Sequence, residues 1–303
     1  MKYWETFINS FSDYAVYLYN AIRYSAWNSY FYWLIGISLF CLLLEWFYPW
    51  RKDQPKIRND FWMDGFYMFF NFFLFSLIGY NAISNVFVVA FNDFLASLGI
   101  KNIVAIEINS WPAGTELLTL FVSRDFIHWN VHRLLHMVPF LWEFHKVHHS
   151  VKQMGFAAHL RFHWMENIVY RTIEYIPLAM IGFGLQEFFL VHIVALSIGH
   201  FNHSNIRFRL GPFKYIFNYP QMHTWHHAKH SPERYPYGVN FGISLSVWDF
   251  LFGTAFMTAN PEKIELGIVD EKDFPKSFWR QSLYGFKSKK ESRDLIKEEV
   301  QQE

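Results

Sequence analysis

The chain has 303 residues, enough for one large domain or two ordinary ones. Hydrophobic residues make up 52% and aromatic residues 21%, while charged residues make up 17%, against about 25% in a typical soluble domain. This composition favours a membrane protein. The net charge of +1 comes with no basic stripe, so no nucleic-acid partner is indicated. The single cysteine, Cys41, excludes an intrachain disulfide and a cysteine-rich metal site.

The first third of the chain predicts membrane helices. Its opening residues mix charged and aromatic side chains, which predicts no cleavable signal peptide. Residues 25–44 carry no charge, and about 20 helical residues cross a bilayer. The basic loop that follows, from Arg51 to Arg58, indicates a cytoplasmic end. A second uncharged run covers 65–92, with one span ending near its middle and another apolar segment after it, and residues 99–114 predict a loop or an interfacial stretch.

Two shorter apolar runs, 175–184 and 188–198, are separated by "LQE" and predict a tight helical hairpin that dips into the membrane. Counting crossings from the basic loop places residues 128–170 and 200–303 on the cytoplasmic side. The predicted fold is all-α: a polytopic membrane helical bundle of about four spans or re-entrant helices, with a cytoplasmic helical cap that carries a histidine-rich dimetal site. The alternative is a soluble α-helical protein with an unusually aromatic core.

Three units are predicted along the chain. Residues 1–114 would form the N-terminal membrane-anchoring helices and residues 115–256 the catalytic domain. Residues 257–303 would form a charged C-terminal tail, a solvated helix or a disordered segment at its end.

All 15 histidines lie between His128 and His230. His128, His132 and His136 follow at intervals of four, which on a helix places them on one face. The spacing H-x-x-H-H occurs twice, in "HKVHH" from His145 and in "HTWHH" from His223. Within such a pattern the first histidine lies one turn from the other two, which point about 100° apart. Each copy can therefore offer nitrogens to two neighbouring ions, and the total supply suits two metals rather than one tetrahedral zinc.

Ligand chemistry alone leaves the metal open, because imidazole suits zinc, copper, iron and nickel. The H-E-x-x-H pattern of zinc hydrolases is missing, and so are the Glu-x-x-His pairs of carboxylate di-iron bundles. A histidine-rich site of two metals at a membrane surface favours redox chemistry with O₂. Two other classes remain as alternatives: a membrane protein that binds or transports metal, and a zinc hydrolase.

At these residues the sequence resembles the fatty acid hydroxylase/sterol desaturase superfamily of membrane di-iron enzymes. The resemblance begins with "RDFIHWNVHRLLHMVPFLWEFHKVHHS" and continues with "RFHWMEN", "GHFNHSN", "MHTWHHA" and "YGVNFGISLSVWDFLFGT". It covers about residues 115–256, and within the superfamily it is greatest to bacterial sterol desaturase-family proteins and to the alkylglycerol monooxygenase group. One departure is Trp164, which stands where the family usually has proline.

The resemblance implies two irons held mostly by histidine, with O₂ as co-substrate. The predicted ligands are the histidines of these motifs: His132, His136, His145, His148, His149, His163, His200, His203, His223, His226 and His227. A metal-bound imidazole usually donates its second N–H to a carboxylate or carbonyl. The residues predicted to support the ligands are Asp125, His159, Glu166, Asn240 and Asp249. His230 lies beyond the last motif and is interpreted as a surface residue.

The resemblance also implies a lipid substrate that enters from the bilayer and a C–H bond that is hydroxylated or desaturated at the cytoplasmic face. The chain contains no visible haem or flavin motif, so a separate electron donor is expected, such as a ferredoxin, a cytochrome b5-like protein or a reductase. Sterol, ether lipid, fatty acyl, carotenoid and ceramide substrates all remain open, because the cavity lining sets specificity.

Overall fold

The computed structural model describes residues 1–71, 73, 82–100, 108–181, 185–258, 263–269 and 271–286. Within these ranges the chain forms eleven α-helices and several short 3₁₀ segments, and β pairing is limited to isolated bridges. The predicted all-α class is confirmed. The predicted end of the charged tail, residues 287–303, lies outside the described residues.

The N-terminal third contains four helices: α1 Lys2–Arg23, α2 Tyr30–Phe47, α3 Phe61–Phe69 and α4 Ser84–Ser97. Within the described ranges, α2 alone is long and apolar enough to cross a membrane. Shorter apolar stretches lie within α4, at Asn85–Ser97, and later in the chain, at Phe189–His203. The middle of the predicted second span, 74–81, lies outside the described residues. The bundle of about four spans or re-entrant helices therefore stays a prediction.

The next four helices are α5 Ala113–Met137, α6 Pro139–His149, α7 Trp164–Ile181 and α8 Leu185–His203. Helices α7 and α8 occupy the predicted hairpin but are longer than the apolar runs that predicted them. The "LQE" stretch, expected to separate the two, lies inside the first turn of α8. Leu120, Leu178 and Val191 form an apolar cluster that joins α5, α7 and α8.

Two prolines set the boundaries of the helices that carry the H-x-x-H-H copies. The residue before a proline is pushed toward extended backbone, and proline fits the first turn of a helix because it has no N–H to satisfy there. Val138 is extended (φ −91°, ψ 113°), so α5 ends at Met137 and α6 begins at Pro139. Tyr219 is likewise extended (φ −155°, ψ 164°), and Pro220 begins α9, Pro220–His226.

The remaining helices, α10 Val247–Leu251 and α11 Phe278–Ser282, are one turn long. The described part of the predicted tail packs against the helical domain. Tyr67 of α3 donates a hydrogen bond to Gln281 of α11 across 2.9 Å, and Phe278 contacts Tyr67 with ring centroids 4.7 Å apart. Helix α11 is thereby held against α3.

Candidate metal centre

Nine histidines assemble into two clusters in which the nearest ring nitrogens lie within 4.8 Å of one another. The first histidine group consists of His132, His136, His145, His149 and His226. The second histidine group consists of His148, His203, His223 and His227. All but His136 are fully buried, and His136 is partly buried.

Each H-x-x-H-H copy contributes to both groups. On α6, His145 and His149 belong to the first group while His148 points to the second. At α9 the division is reversed, since His226 belongs to the first group, whereas His223 and His227 belong to the second. The rings of His149 and His227 stack with centroids 4.5 Å apart, so the two groups adjoin.

In the first group, ring nitrogens of neighbouring histidines face one another. His132 Nδ1 lies 2.7 Å from the carbonyl oxygen of Phe241, which can only accept, so the proton is on Nδ1 and Nε2 carries a lone pair. His145 Nδ1 lies 2.6 Å from Glu166 Oε2. With Glu166 ionised, the two Nε2 lone pairs of His132 and His145 face each other across 3.2 Å.

The second group converges on His203. Its Nδ1 donates to the carbonyl oxygen of Gly199 across 2.8 Å, which leaves a lone pair on Nε2. Around that Nε2 lie the Nε2 atoms of His223 at 2.9 Å, His148 at 3.3 Å and His227 at 3.3 Å. Nitrogen atoms packed this closely cannot all be satisfied by protons.

Several ring nitrogens in both groups are buried without any hydrogen-bond partner: His136 Nε2, His149 Nε2, His226 Nε2, His148 Nδ1 and His227 Nδ1. Buried polar atoms in proteins are normally paired, and an unpaired one is typical of a position that binds a water or an ion. Converging lone pairs with unpaired neighbours are what a bound cation would satisfy. The nine side chains therefore fit two metal ions held by imidazole.

Burial keeps these imidazoles neutral, which is the form that binds metal. It lowers the pKa of His226 to about 4. It also lowers the pKa of His132 and His145 well below the ordinary value, and neighbouring imidazoles add to the effect. Burial raises the pKa of Glu166, so a nearby cation would be needed to favour its carboxylate form.

A short loop next to α9 orients two ligands of the first group. His226 Nδ1 donates to the carbonyl oxygen of Val239 across 2.9 Å, and the Phe241 carbonyl does the same for His132. Asn240 lies between them with φ +56°, a left-handed conformation that asparagine tolerates better than most residues. Its amide donates to the carbonyls of Met222 and Phe256 and accepts the Phe256 N–H.

Asp249 holds the far end of this loop. Its carboxylate accepts the backbone N–H groups of Phe241 and Gly242, the indole N–H of Trp129 and the hydroxyl of Thr254, all within 3.0 Å. Asp249 thus acts on His132 through the Phe241 backbone and does not touch the imidazole.

Asp125 and His159 were also predicted to support the ligands, and their contacts differ from the direct contact that Glu166 makes with His145. Asp125 accepts the N–H groups of Ser244 and Leu245 and the indole N–H of Trp248, so it fixes the segment before α10. His159 packs against α8 at Gly199, where a Cβ atom would lie 2.2 Å from its ring. A glycine at 199 is therefore required for His159 to approach the helix.

His163 and His200, predicted as ligands, lie outside both groups. His163 Nε2 donates to the carbonyl of Ser282 across 2.9 Å, and its Nδ1 accepts the N–H of Met165 across 3.1 Å. Both ring nitrogens of His163 are therefore used. His200 Nδ1 lies 2.8 Å from His159 Nδ1 and its Nε2 lies 3.2 Å from the hydroxyl of Ser38 on α2.

Trp164, the departure from the family pattern, has a structural role here. Its indole N–H donates to the same Ser282 carbonyl across 2.8 Å, and its ring stacks on Phe286 at 5.4 Å. The tryptophan thus fastens the segment 278–286 beside His163.

Backbone acceptors were the part of the site that the sequence did not reveal. The carbonyl groups of Gly199, Val239 and Phe241 orient three ligands, and no side-chain pattern marks them. Thr254 donates to Asp249 through its hydroxyl. It is the last residue of the motif "YGVNFGISLSVWDFLFGT", so the family resemblance could have indicated it.

The described part of the chain is thus a helical protein with two adjoining histidine groups whose side chains fit two metal ions. The family model for fatty acid hydroxylase matches residues 117–254, the stretch that supplies all nine histidines. Residues 117–254 are thus a domain of the fatty acid hydroxylase family, and the resemblance found in the sequence is confirmed.

Among curated proteins, the chain is similar to the ornithine lipid hydroxylase OlsE of Rhizobium tropici, with 32% identity over 200 residues, 64% of this chain and 59% of that protein. It is similar to human alkylglycerol monooxygenase, with 30% identity over 160 residues, 52% of this chain and 34% of that protein. A rice (Oryza sativa subsp. japonica) very-long-chain aldehyde decarbonylase, GL1-10, is 28% identical over 142 residues, 46% of each chain. The chain thus spans less than two thirds of the length of these relatives. No solved structure matches it.

Proposed function

We propose that the chain is a membrane-bound di-iron enzyme that uses O₂ to hydroxylate a C–H bond of a lipid. The observation that carries the proposal is the pair of adjoining histidine groups, whose imidazoles are neutral and whose lone pairs converge. The activities named for the relatives support the substrate class, because an ornithine lipid, an alkylglycerol and a very-long-chain aldehyde are all lipid compounds.

The proposed reaction consumes one O₂, two electrons and two protons for each C–H bond. One oxygen atom enters the substrate, so that R–H becomes R–OH, and the other leaves as water. The electrons come from a separate redox protein, a ferredoxin or a cytochrome b5-like protein with its reductase. Bound iron would supply the activation of O₂, which amino-acid side chains cannot perform.

The first histidine group would hold one iron and the second group the other. The chain's own contribution is to fix the ligands before the metal binds. The Glu166 carboxylate accepts a hydrogen bond from Nδ1 of His145. The carbonyls of Val239 and Phe241 accept one from Nδ1 of His226 and of His132. Such partners raise ligand basicity and set the ring orientation.

Burial of the centre also keeps bulk water away from the reacting carbon. His203, His223 and His227 have no exposed surface, and water-excluding sites protect reactive species from side reactions. We further propose that α2 anchors the protein in the bilayer, with other apolar helices beside it, and that the centre faces the cytoplasm. The basic loop from Arg51 to Arg58 supports this orientation.

The test is an assay with the full chain purified in detergent and loaded anaerobically with ferrous iron. We expect about two irons per chain, as the two groups require, and lipid oxidation that depends on a reductant. In an atmosphere of oxygen-18, the product should gain one labelled oxygen atom. A product that loses two hydrogens and gains no oxygen would indicate desaturation instead, and activity with zinc in the absence of O₂ would indicate a hydrolase.

A further inference from the structure

A cavity of about 450 Å³ opens beside the metal centre, and no part of the proposed chemistry uses it. It lies between the start of α3, the turn after α6 and residues 268, 271, 272, 274–276 and 281. Ser150, which lines it, directly follows the ligand His149 in the chain. The cavity therefore lies next to the end of α6, the helix that carries His149 of the first histidine group.

The lining of the cavity is cationic. Five of its side chains are basic and two are acidic: Arg58, Lys152, Arg161, Lys272, Lys276, Asp60 and Glu271. The lining side chains sum to +3, and the balance is still +2 when Asp64, which pairs with both arginines, is included. A concave site lined by one sign of charge concentrates ligands of the opposite sign.

Two buried arginines form the floor. Arg161 is 2% exposed and contacts Asp60 Oδ2 at 3.0 Å and Asp64 Oδ1 at 3.3 Å. Arg58 is 4% exposed, forms an ion pair with Asp64 and donates to the carbonyl of Gln153 across 3.1 Å. These contacts hold both guanidinium groups in place, and guanidinium is the side-chain group that best matches phosphate and carboxylate oxygens.

The helices that frame the cavity carry aromatic rings on their outer faces. Helix α11 lines the cavity with Gln281 and exposes Trp279. Helix α3 lines it with Met63 and exposes Trp62 and Phe66. Exposed aromatic side chains, tryptophan above all, are typical of the membrane–water interface, where the lipid headgroups lie.

We propose that this cavity binds the anionic headgroup of a bilayer lipid. The cationic lining supplies the attraction, the exposed Lys272 and Lys276 supply charged donors above the paired arginines, and the exposed rings of α3 and α11 favour an opening at headgroup level. A volume of about 450 Å³ is suited to a headgroup and not to a protein surface. The proposal rests on the proposed membrane association, and it extends the function by naming a headgroup class.

The binding probe is dihexanoyl phosphatidylglycerol, a short-chain lipid with an anionic headgroup, titrated by calorimetry into the full chain in non-ionic detergent. The cavity variant carries Lys272→Glu and Lys276→Glu, both at exposed lining positions. The matched control carries Lys52→Glu and Lys263→Glu, exposed positions outside the lining with the same change of charge. Dihexanoyl phosphatidylcholine and inorganic phosphate are titrated in parallel.

We expect saturable binding of phosphatidylglycerol to the parent and control proteins and about tenfold weaker binding to the cavity variant, because two attractions become repulsions. Phosphatidylcholine should bind more weakly to the parent. Equal binding by the cavity variant and the control would overturn the proposal. Inorganic phosphate that binds as tightly as the lipid would also overturn it, by showing a site for free anions.

Iron content is measured on the same samples. Iron-loaded protein without saturable lipid binding would contradict the headgroup site and leave the di-iron proposal standing. Protein that binds phosphatidylglycerol but takes up no iron would support the headgroup site and contradict the di-iron proposal.

Discussion

Glu166 and His145 share one proton across 2.6 Å, and that proton decides which nitrogen of His145 is available to a metal. Glu166 also accepts the N–H of His163 at the start of α7 with its other oxygen, across 3.1 Å. The carboxylate is thereby fixed by the helix that carries it. His145 is in turn fixed with Nε2 toward the first histidine group.

The substitution Glu166→Gln should weaken iron binding. A glutamine keeps the size of the side chain and removes the charge that supports the imidazole, and changes of this kind typically cost about ten- to a hundredfold in metal affinity. Iron per chain after dialysis against a chelator measures the effect. Glu143→Gln is the control, since the partly exposed Glu143 carboxylate lies outside both histidine groups and pairs with Lys146. Equal iron retention in both variants would argue against the role of Glu166.

Single alanine substitutions should distinguish the two histidine groups. His226→Ala removes a ligand from the first group and His148→Ala removes one from the second. Because each iron would rely on its own group, each variant should lose about one iron per chain and all turnover. Elemental analysis and product formation report the two effects. His230→Ala, an exposed histidine outside both groups, should keep both irons and full activity.

His163→Ala should keep both irons and lose stability. Both ring nitrogens of His163 are hydrogen-bonded to backbone groups, of Ser282 and Met165. Removing the ring leaves the Met165 N–H without its acceptor, while the Ser282 carbonyl keeps the Trp164 indole, so we expect a loss of about 1–3 kcal/mol. Thermal unfolding in detergent and iron content measure the two outcomes. The loss of one iron in His163→Ala would instead make His163 a ligand, as its place in the family motif predicts.

Acidification should release the metal and then destabilise the metal-free fold. Burial holds the pKa of His226 at about 4 in the folded chain, below the ordinary value of about 6.5. Between these values the unfolded chain binds the proton and the folded chain does not, so the free energy of unfolding decreases as the pH falls below about 6.5. Above that pH this histidine contributes no dependence. Thermal unfolding of metal-free protein across this range, compared with His226→Gln, which should show a shallower decrease, measures the contribution.

The helical spacing of the histidines predicted much of the site. Residues four apart share a face of a helix and consecutive residues point about 100° apart. For this reason His145 and His149 belong to the first group and His148 belongs to the second. The all-α class followed from the apolar runs in the same way. Both inferences depend only on local geometry, which the sequence carries directly.

Contacts between distant parts of the chain could not be predicted in this way. The Phe241 carbonyl accepts a hydrogen bond from His132, 109 positions away in the chain, and neither residue type indicates this contact. His163 lies in a family motif, yet its ring nitrogens are taken up by Ser282, 119 positions away. The Ser282 segment was predicted as part of a charged tail, because a one-turn helix such as α11 leaves no periodic pattern to detect.

Asn240 offers the sharpest test of the loop that orients the first histidine group. Its left-handed backbone and its amide hydrogen bonds are separable, because glycine keeps the first and loses the second. Asn240→Gly should therefore lower the free energy of unfolding by about 1–3 kcal/mol and reduce iron in the first group. Asn240→Ala should be worse, because alanine adds the cost of positive φ, about 1–2 kcal/mol. The two variants are compared by thermal unfolding and iron content. Equal effects of glycine and alanine would show that the side-chain hydrogen bonds alone hold Val239 and Phe241 against their histidines.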